Sequence, residues 1–335
     1  MGRRGVRVAV DAMGGDLGSS VVVAGAVAAA RELGNAVTLV GQESEVRQHL
    51  RAHPTDGLDV TVLHAPETVA MDESPSVALR RKKHSSIRIG LELLKQGEAD
   101  AFVSAGNTGA VMATALVVLG PLPGVERPAI AILIPTKTGR AVLLDAGATV
   151  ACKPRHLHQF GIMGSVYAAA VLGTAAPRVG LLSIGEEESK GNELTREAFK
   201  ELEEDPGIQF IGNVEGRDVF NGQVDVVVCD GFTGNVALKI SEGVAEVFVD
   251  LLREELSGDV WARAGSLLMR RGLRRFRRRL DYSEYGGAPL FGVDGVCIIG
   301  HGRSSPKAIK NAIRVAGECV TKHVIPHIRD GVAGR

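Results

Sequence analysis

The residues from Ala101 to Ala115, AFVSAGNTGAVMATA, have the types and spacing of an anion cradle. They read as a short apolar strand, a turn over Ser104, Ala105, Gly106, Asn107, Thr108 and Gly109, and then a helix of small residues. Glycine lets the backbone approach a ligand without a Cβ in the way, and the first N–H groups of a helix point at whatever oxyanion arrives. Ser104, Asn107 and Thr108 add side-chain donors, and Asn107 or Thr108 can also cap the helix. Such residues also serve strand-to-helix turns as plain turn chemistry, so one turn alone decides nothing.

Recurrence favours the ligand. Val6 to Val10 reads as a strand ending in Asp11-Ala12-Met13-Gly14-Gly15-Asp16, and Ala141 to Leu144 runs into Asp145-Ala146-Gly147-Ala148-Thr149. Val179 to Ile184 is followed by Gly185 and EEESKGN, which contains Lys190 and Asn192. Val224 to Cys229 leads into Asp230-Gly231-Phe232-Thr233-Gly234-Asn235, four residues before Lys239. Tyr285-Gly286-Gly287 forms a further glycine loop, and Val296 to Ile299 ends in Gly300-His301-Gly302. Asp11 and Asp16 could hold a metal, orient a lysine, or act as dipole partners of a helix. His301 is an acid–base candidate or a histidine bonding its own turn. The HLH pair at His156 and His158 lacks a third ligand nearby and reads as surface histidines at a helix start. These turns together offer donors, hydroxyls, amides and lysines, with little that looks like a nucleophile. Cys229 has an apolar flank that suggests an inert thiol. The set suits a reaction whose nucleophile is itself a substrate, such as phosphate.

The elements that must position these turns alternate strand and helix nearly throughout. That order implies a largely parallel sheet covered on both faces, with an antiparallel hairpin around Thr136-Lys137-Thr138-Gly139. In such sheets the carboxyl ends of the strands form the ligand crevice. The chain has 335 residues, 45% hydrophobic and only 4% aromatic, so its core is aliphatic. Its length fits one large α/β domain over 1–335. A formal net charge of +0 argues against whole-chain attraction to nucleic acid. The start, MGRRGVRVAV, leads directly into a strand, and no signal peptide is expected. The four cysteines lack ligand spacing, which points to a reducing cytoplasm and no structural metal. GxGxxG is absent, which weakens a dinucleotide reading.

The region 236–282 stands apart as a protruding helical segment. Val244, Val247, Phe248, Leu251 and Leu252 keep one helix face greasy, as for a subunit interface. Beyond it come Trp261, Leu267 and Leu268, and then arginines around Met269, Leu273, Phe276 and Leu280. That pattern suits an anionic membrane surface or an acidic protein, or a solvated helix packed on the body. The Arg80-Arg81-Lys82-Lys83 run reads as a solvated helix face that could also greet an acidic partner.

VAVDAMGGD, VSAGNTGA, LLSIGEEESKGNE, NVEGRD, VVVCDGFTGNVALK, YGGAPLFGVDG and HGRSS, in this order over the whole chain, resemble the bacterial phosphate acyltransferases of phospholipid synthesis, the PlsX family. The resemblance implies a three-layer α/β/α fold like that of phosphotransacetylase and isopropylmalate dehydrogenase. It implies conversion of acyl-[acyl-carrier-protein] and inorganic phosphate to acyl phosphate and free carrier protein, for use by a glycerol-3-phosphate acyltransferase. It further implies a homodimer, a cytoplasmic enzyme held peripherally at the inner face of the membrane, and no cofactor. Phosphate would then sit among the N–H groups of Gly106 to Gly109, with Asn107 and Thr108, facing Lys190 or Lys239. Asn192 or Asn235 would steady the oxyanion, His301 would assist phosphate deprotonation, and Asp11, Asp16 and Asp230 would orient the lysines. Residues 145–151 depart from the family pattern: Thr149 and Ala151 stand where it has an amide and an acid. Two rival activities belong to similar folds, a metal-dependent dehydrogenase and a coenzyme A phosphotransacetylase. A non-catalytic scaffold would keep the amphipathic segment without using the donor-rich turns.

Overall fold

A computed structural model describes residues 5–258, 262, 265, 268–280 and 282–334. The strands fall into two sheets, not the one expected. The first has seven strands in the order β3 (Val60–His64), β2 (Ala36–Gly41), β1 (Arg7–Asp11), β4 (Ala101–Ser104), β12 (Val296–Ile299), β11 (Ala288–Phe291) and β5 (Ala129–Ile130). The second has five, in the order β6 (Ile132–Pro135), β7 (Arg140–Leu144), β10 (Val226–Val228), β8 (Arg178–Leu182) and β9 (Gln209–Val214). All neighbours are parallel except at one edge of each sheet, where β11 and β5 in the first and β6 in the second run antiparallel.

The seam between the sheets lies at Ala131. The chain leaves β5 and enters β6 across this buried residue, whose N–H donates to Pro289 O at 2.9 Å. The hairpin expected near Gly139 is present: β6 pairs with β7, and Thr136 N–H donates to Gly139 O. Central strands such as VVV of β10 are buried throughout, as parallel strands covered on both faces must be. One apolar cluster runs through both sheets, from Val8 and Leu39 to Val142 and Val226, with Phe160 and Tyr167 among its largest buried members.

Helices α1 (Ser19–Leu33), α2 (Glu43–Leu50), α3 (Pro75–Arg81), α4 (Ser86–Lys95) and α5 (Thr108–Val118) accompany the first sheet in sequence, followed by α6 (Pro154–Tyr167) and α7 (Glu193–Glu203). Then come α8 (Gly231–Ser257), α9 (Arg270–Leu280), α10 (Pro306–Thr321) and α11 (Val324–Ala333). Close packing of α1 on α10 requires Gly25, where a Cβ would lie 2.6 Å from Pro306 O and from Ile309 Cβ. Helix α10 is capped by Ser305, whose Oγ accepts from Ala308 N–H, and Pro306 takes the first position, where its missing donor costs nothing. Helix α8 starts at Gly231, five residues earlier than its apolar periodicity announces, because Asp230 caps it by accepting from Thr233 N–H and Oγ1–H.

Asn107 is the N-cap of α5. Its Oδ1 accepts from Ala110 N–H at 2.9 Å, while its Nδ2 lies 2.9 Å from both Met71 O and Glu73 O, and 3.4 Å from Ala70 O. One amide therefore closes the helix and tacks the 70–74 loop over it. His156 and His158 are not surface residues. His156 Nδ1 accepts from Lys153 N–H and its Nε2 meets Glu126, while His158 Nε2 lies 2.8 Å from the buried Asp205. Burial holds His156 below the usual histidine range, against the pull of Glu126.

Asn107→Ala should destabilise the protein by about 1–2 kcal/mol in urea unfolding, the typical value of a lost cap. Asn107→Asp should restore the cap acceptor but leave the 70–74 loop cleavable in limited proteolysis, because a carboxylate cannot donate. Since His156 has its pKa lowered on folding, the unfolded chain binds a proton first as pH falls below ~6.5. The stability supplied by the neutral ring is therefore complete above that pH and is lost as pH falls toward the folded value. The urea midpoint of the wild type should drop between pH 7 and 5 more steeply than that of His156→Gln.

Candidate functional site

On one side of the seam, the turns after β1, β4 and β12 are laced together around a buried carboxylate. Asp11 is 1% exposed; Ser104 Oγ–H donates to its Oδ2 at 2.7 Å and Met13 N–H to its Oδ1 at 3.1 Å. Ser104 Oγ in turn accepts from Gly106 N–H. Burial pushes the Asp11 carboxyl up, opposed by hydrogen bonds from Ser86 and Ser104. The two turns approach so closely that a Cβ on Gly14 would lie 2.6 Å from both Asp11 Oδ2 and Gly106 N. Asp16 N–H donates to Gly302 O and Gly300 N–H to Ser104 O, both at 2.7 Å, which joins the third turn to the other two. Gly15, at φ 101°, makes the bend that permits this.

On the other side, Asp145 does the same work for the second sheet. It is fully buried, and its carboxylate accepts N–H bonds from Ile130, Gly147, Ala148 and Thr149 at 2.6–3.0 Å. Burial raises its pKa, and those N–H groups oppose the rise. The Thr149 hydroxyl donates to Pro128 O, and the Thr149 carbonyl accepts from Gly231 N–H, so this residue pins the loop. A Cβ on Gly231 would lie 2.5 Å from Asp145 Oδ2, and one on Gly234 would collide with Asp145 O. The α8 N-terminus therefore rests directly on the 145–149 turn. The cysteines nearby are poor nucleophiles: burial pushes Cys152 up to about 12 and Cys229 well above the ordinary thiol value.

Between the two knots lies a cleft of about 550 Å³. Thr108 and Gly109 open α5 on one wall, and Asn235 and Lys239 stand on α8 on another. Gly286, Gly287, His301, Asp16, Glu242 and Tyr285 complete the polar part. Lys239 Nζ is 3.5 Å from Glu242, and His301 Nδ1 accepts from Arg303 N–H at 3.1 Å. Gly147, at φ 131°, faces Asn235, whose Cβ would be 3.5 Å from an added methyl. The remaining walls are hydrocarbon, from Met112, Ile132, Leu133 and Leu238 among others.

The SAGNTGA and DGFTGN turns thus share one cavity. Asp16, Thr108, Gly109, Asn235, Lys239, Gly286, Gly287 and His301 line it, whereas Asp11, Gly14, Gly15, Ser104, Gly106, Asn107, Asp145, Thr149, Asp230 and Gly234 do not. Of the latter, Asn107 has its amide committed to the 70–74 loop, the Thr149 hydroxyl and the Asp145 carboxylate are committed to backbone, and the Asp11 carboxylate is committed to the Ser104 hydroxyl and Met13 N–H. Asp230 spends its oxygens on Thr233 rather than on a lysine. Lys190 lies against Gly185 on the turn after β8, and Asn192 caps α7 by accepting from Thr195 N–H. Neither lines the cleft. Its apolar walls are absent from the candidates read in sequence. The one signal for them is that Met112 and Leu238 directly follow the donor-rich turns.

Residues 6–327 match the profile of a family described as fatty acid synthesis protein. A phosphate acyltransferase from Geobacter sp. (strain M21) is 57% identical over 319 residues, covering 95% of this chain and 90% of that protein. One from Pelotomaculum thermopropionicum is 52% identical over 327 residues, covering 98% and 95%. Among solved structures, a phosphotransacetylase from Streptococcus pyogenes superposes with TM-score 0.66 at 18% identity, covering 95% of each chain. A 4-hydroxythreonine-4-phosphate dehydrogenase from Klebsiella pneumoniae gives 0.54 at 13%, covering 96% of this chain and 99% of that one. These two likenesses establish the three-layer α/β/α fold alone, since one scaffold hosts both chemistries. The extent and identity of the sequence matches decide between them: the chain belongs to the phosphate acyltransferase family and is an acyltransferase.

Proposed function

We propose that the chain transfers a fatty acyl group from acyl-[acyl-carrier-protein] to inorganic phosphate, and that the acyl phosphate feeds phosphatidic acid synthesis through a glycerol-3-phosphate acyltransferase. The observation behind this reading is the meeting of a helix N-terminus, a lysine and an amide with a hydrocarbon wall in a single cleft. Phosphate bound at the start of α5 takes the N–H groups of Thr108 and Gly109 and the Thr108 hydroxyl, with Lys239 balancing its charge. A phosphate oxygen attacks the thioester carbonyl carbon; a C–O bond forms while the carbonyl electron pair moves onto oxygen, which the Asn235 amide steadies. Collapse of this intermediate breaks the C–S bond and releases the carrier thiolate. Thiols have pKa values near ~8.5, so departure needs no strong general acid.

Of the two readings of His301, the bond to its own turn is the one this proposal takes up. Its Nδ1 accepts a backbone N–H, so the neutral ring holds its proton on Nε2 and acts as a donor to phosphate. Lys190, on the turn after β8 beside β10, adds positive charge at the same strand-end edge. Basic residues such as Arg80 suit docking of an acidic carrier protein.

The outer face of α8 supports a homodimer. Val236, Ile240, Val244, Val247, Phe248 and Leu251 follow helical spacing and are 41–64% exposed, an apolar stripe that a second copy would cover. The segment 236–282 then serves as the dimerisation and membrane-contact element. The contact proposed for it is peripheral, at the cytoplasmic face; no described helix is long and apolar enough to cross a membrane. Leu268 is 88% exposed, whereas Trp261 and Leu267 lie outside the described residues.

Purified protein incubated with hexadecanoyl-carrier protein and phosphate should give a hydroxamate on trapping with hydroxylamine, and acyl-coenzyme A should be a poorer donor. Asn235→Ala should lower kcat by about 10²-fold, as loss of one oxyanion donor does elsewhere. Absence of phosphate-dependent product from the wild type would refute the reading. In flotation with phosphatidylglycerol vesicles, the wild type should rise with the lipid and a Trp261→Glu/Leu267→Glu/Leu268→Glu variant should stay below. Equal binding would remove the membrane assignment.

A further inference from the structure

A second cavity, of about 760 Å³, opens beside the cleft. The two share Leu133, Leu238, Glu242 and Tyr285 as common walls, so they lie side by side along α8. We propose that this second cavity holds the acyl chain of the thioester, an assignment that rests on the acyl-transfer reading above.

The chemistry of its walls selects the occupant. Ile134 and Pro135 of the hairpin, Phe220, Ala245 on α8 and Phe276 on α9 present hydrocarbon from four separate elements. Three of the ionic groups around it have partners, and Lys137 lines it as well. Glu242 is paired with Lys239, Glu284 lies 2.7 Å from Lys307, and the Arg140 guanidinium stacks 5.0 Å from the Tyr285 ring centroid. An uncharged alkyl chain leaves them intact and gains from every methylene it buries. The volume lies within the ~300–1,000 Å³ common for organic ligands.

The cavity also fits the geometry of the transfer. The cleft must hold both phosphate and the thioester group, and its mouth has to remain open to the carrier protein. A long chain therefore needs a separate compartment that branches from the reacting carbon. The shared wall at Leu133 and Leu238 is where such a branch begins. Tyr285, held by Arg140, stands at the same junction and fixes its width.

Each buried methylene is worth about fourfold in binding, so filling the compartment should act on long chains and spare short ones. With carrier protein loaded with butanoyl or hexadecanoyl groups, Ala245→Trp should lower kcat/KM for hexadecanoyl by about tenfold or more while changing butanoyl by less than about twofold. Phe220→Ala, which widens the same cavity, should move the preference toward longer chains, and it keeps the test available if the tryptophan variant does not fold. Parallel loss for both donors, or an unchanged chain-length profile in both variants, would overturn the assignment. A wild type that makes acyl phosphate from neither donor would instead sink the transfer reading, and this assignment with it.

Discussion

Two buried carboxylates hold the strand ends in place, and the cleft exists because of them. An ionised carboxylate taken out of water costs several kcal/mol unless donors repay it, at a scale of about 1.5–3 kcal/mol for each hydrogen bond to a charged group. Asp145 collects four backbone N–H groups, and Asp11 collects a hydroxyl and at least one N–H. These bonds fix turns that belong to different strands on a single point. They also force glycine at the neighbouring positions, since a Cβ on Gly14, Gly106, Gly231 or Gly234 would press on one of these carboxylate oxygens or on the Asp145 carbonyl. The donors of the cleft are thus positioned before any ligand arrives, the condition under which a neutral amide such as that of Asn235 would count in the proposed transition state.

The seam at Ala131 explains why both knots face one cavity. In each sheet the parallel strands end in register, Val10 beside Val103 and Ile298 in the first, Val228 beside Leu144 and Leu181 in the second. Because the chain passes from β5 to β6 through one residue, the antiparallel edges of the two sheets meet there. Ile130, Ile132 and Leu133 then become walls of the cleft as well as strand residues. A binding crevice outside strand carboxyl ends is the general rule for open α/β sheets, and here two such crevices open onto each other.

The alternation of strand and helix was legible because the central strands are short continuous apolar runs and the helices begin at Asn107, Asp230 and Ser305, residues whose side chains cap. The division into two sheets was not. Strand partnership is a long-range choice, and the single residue between β5 and β6 makes them read as one strand. The site divides along a similar line. Which turns converge could be read from their shared chemistry, but Asn107, Thr149 and Asp145 turn their polar atoms to backbone, and nothing local distinguishes a donor aimed at a ligand from one aimed at a carbonyl. The burial of His156 and His158 escaped notice because their partners, Glu126 and Asp205, are remote in sequence. The hydrocarbon walls were hidden for a related reason: Met112 and Leu238 have the spacing of ordinary core or stripe positions.

Helix α8 unites these themes because its two faces answer to different demands. Asn235, Leu238, Lys239, Glu242 and Ala245 recur at helical spacing toward the cavities, while Val236, Ile240, Val244, Val247 and Leu251 recur on the outer stripe. Since the two sets interleave on one rigid rod, displacement of the outer stripe displaces the inner one by the same amount. Its N-terminus is clamped to Asp145 through Gly231 and Gly234, so a displacement that keeps this contact would be a swing of the far end. Such a swing moves Ala245 more than Asn235. Covering the outer stripe would therefore restrain the wall of the second cavity most strongly, and Asn235 least. The contact of Phe248 with Phe276 extends the same constraint to α9. In this arrangement the cleft end of the helix is held by buried charge, and the width of the second cavity is set by packing farther along it.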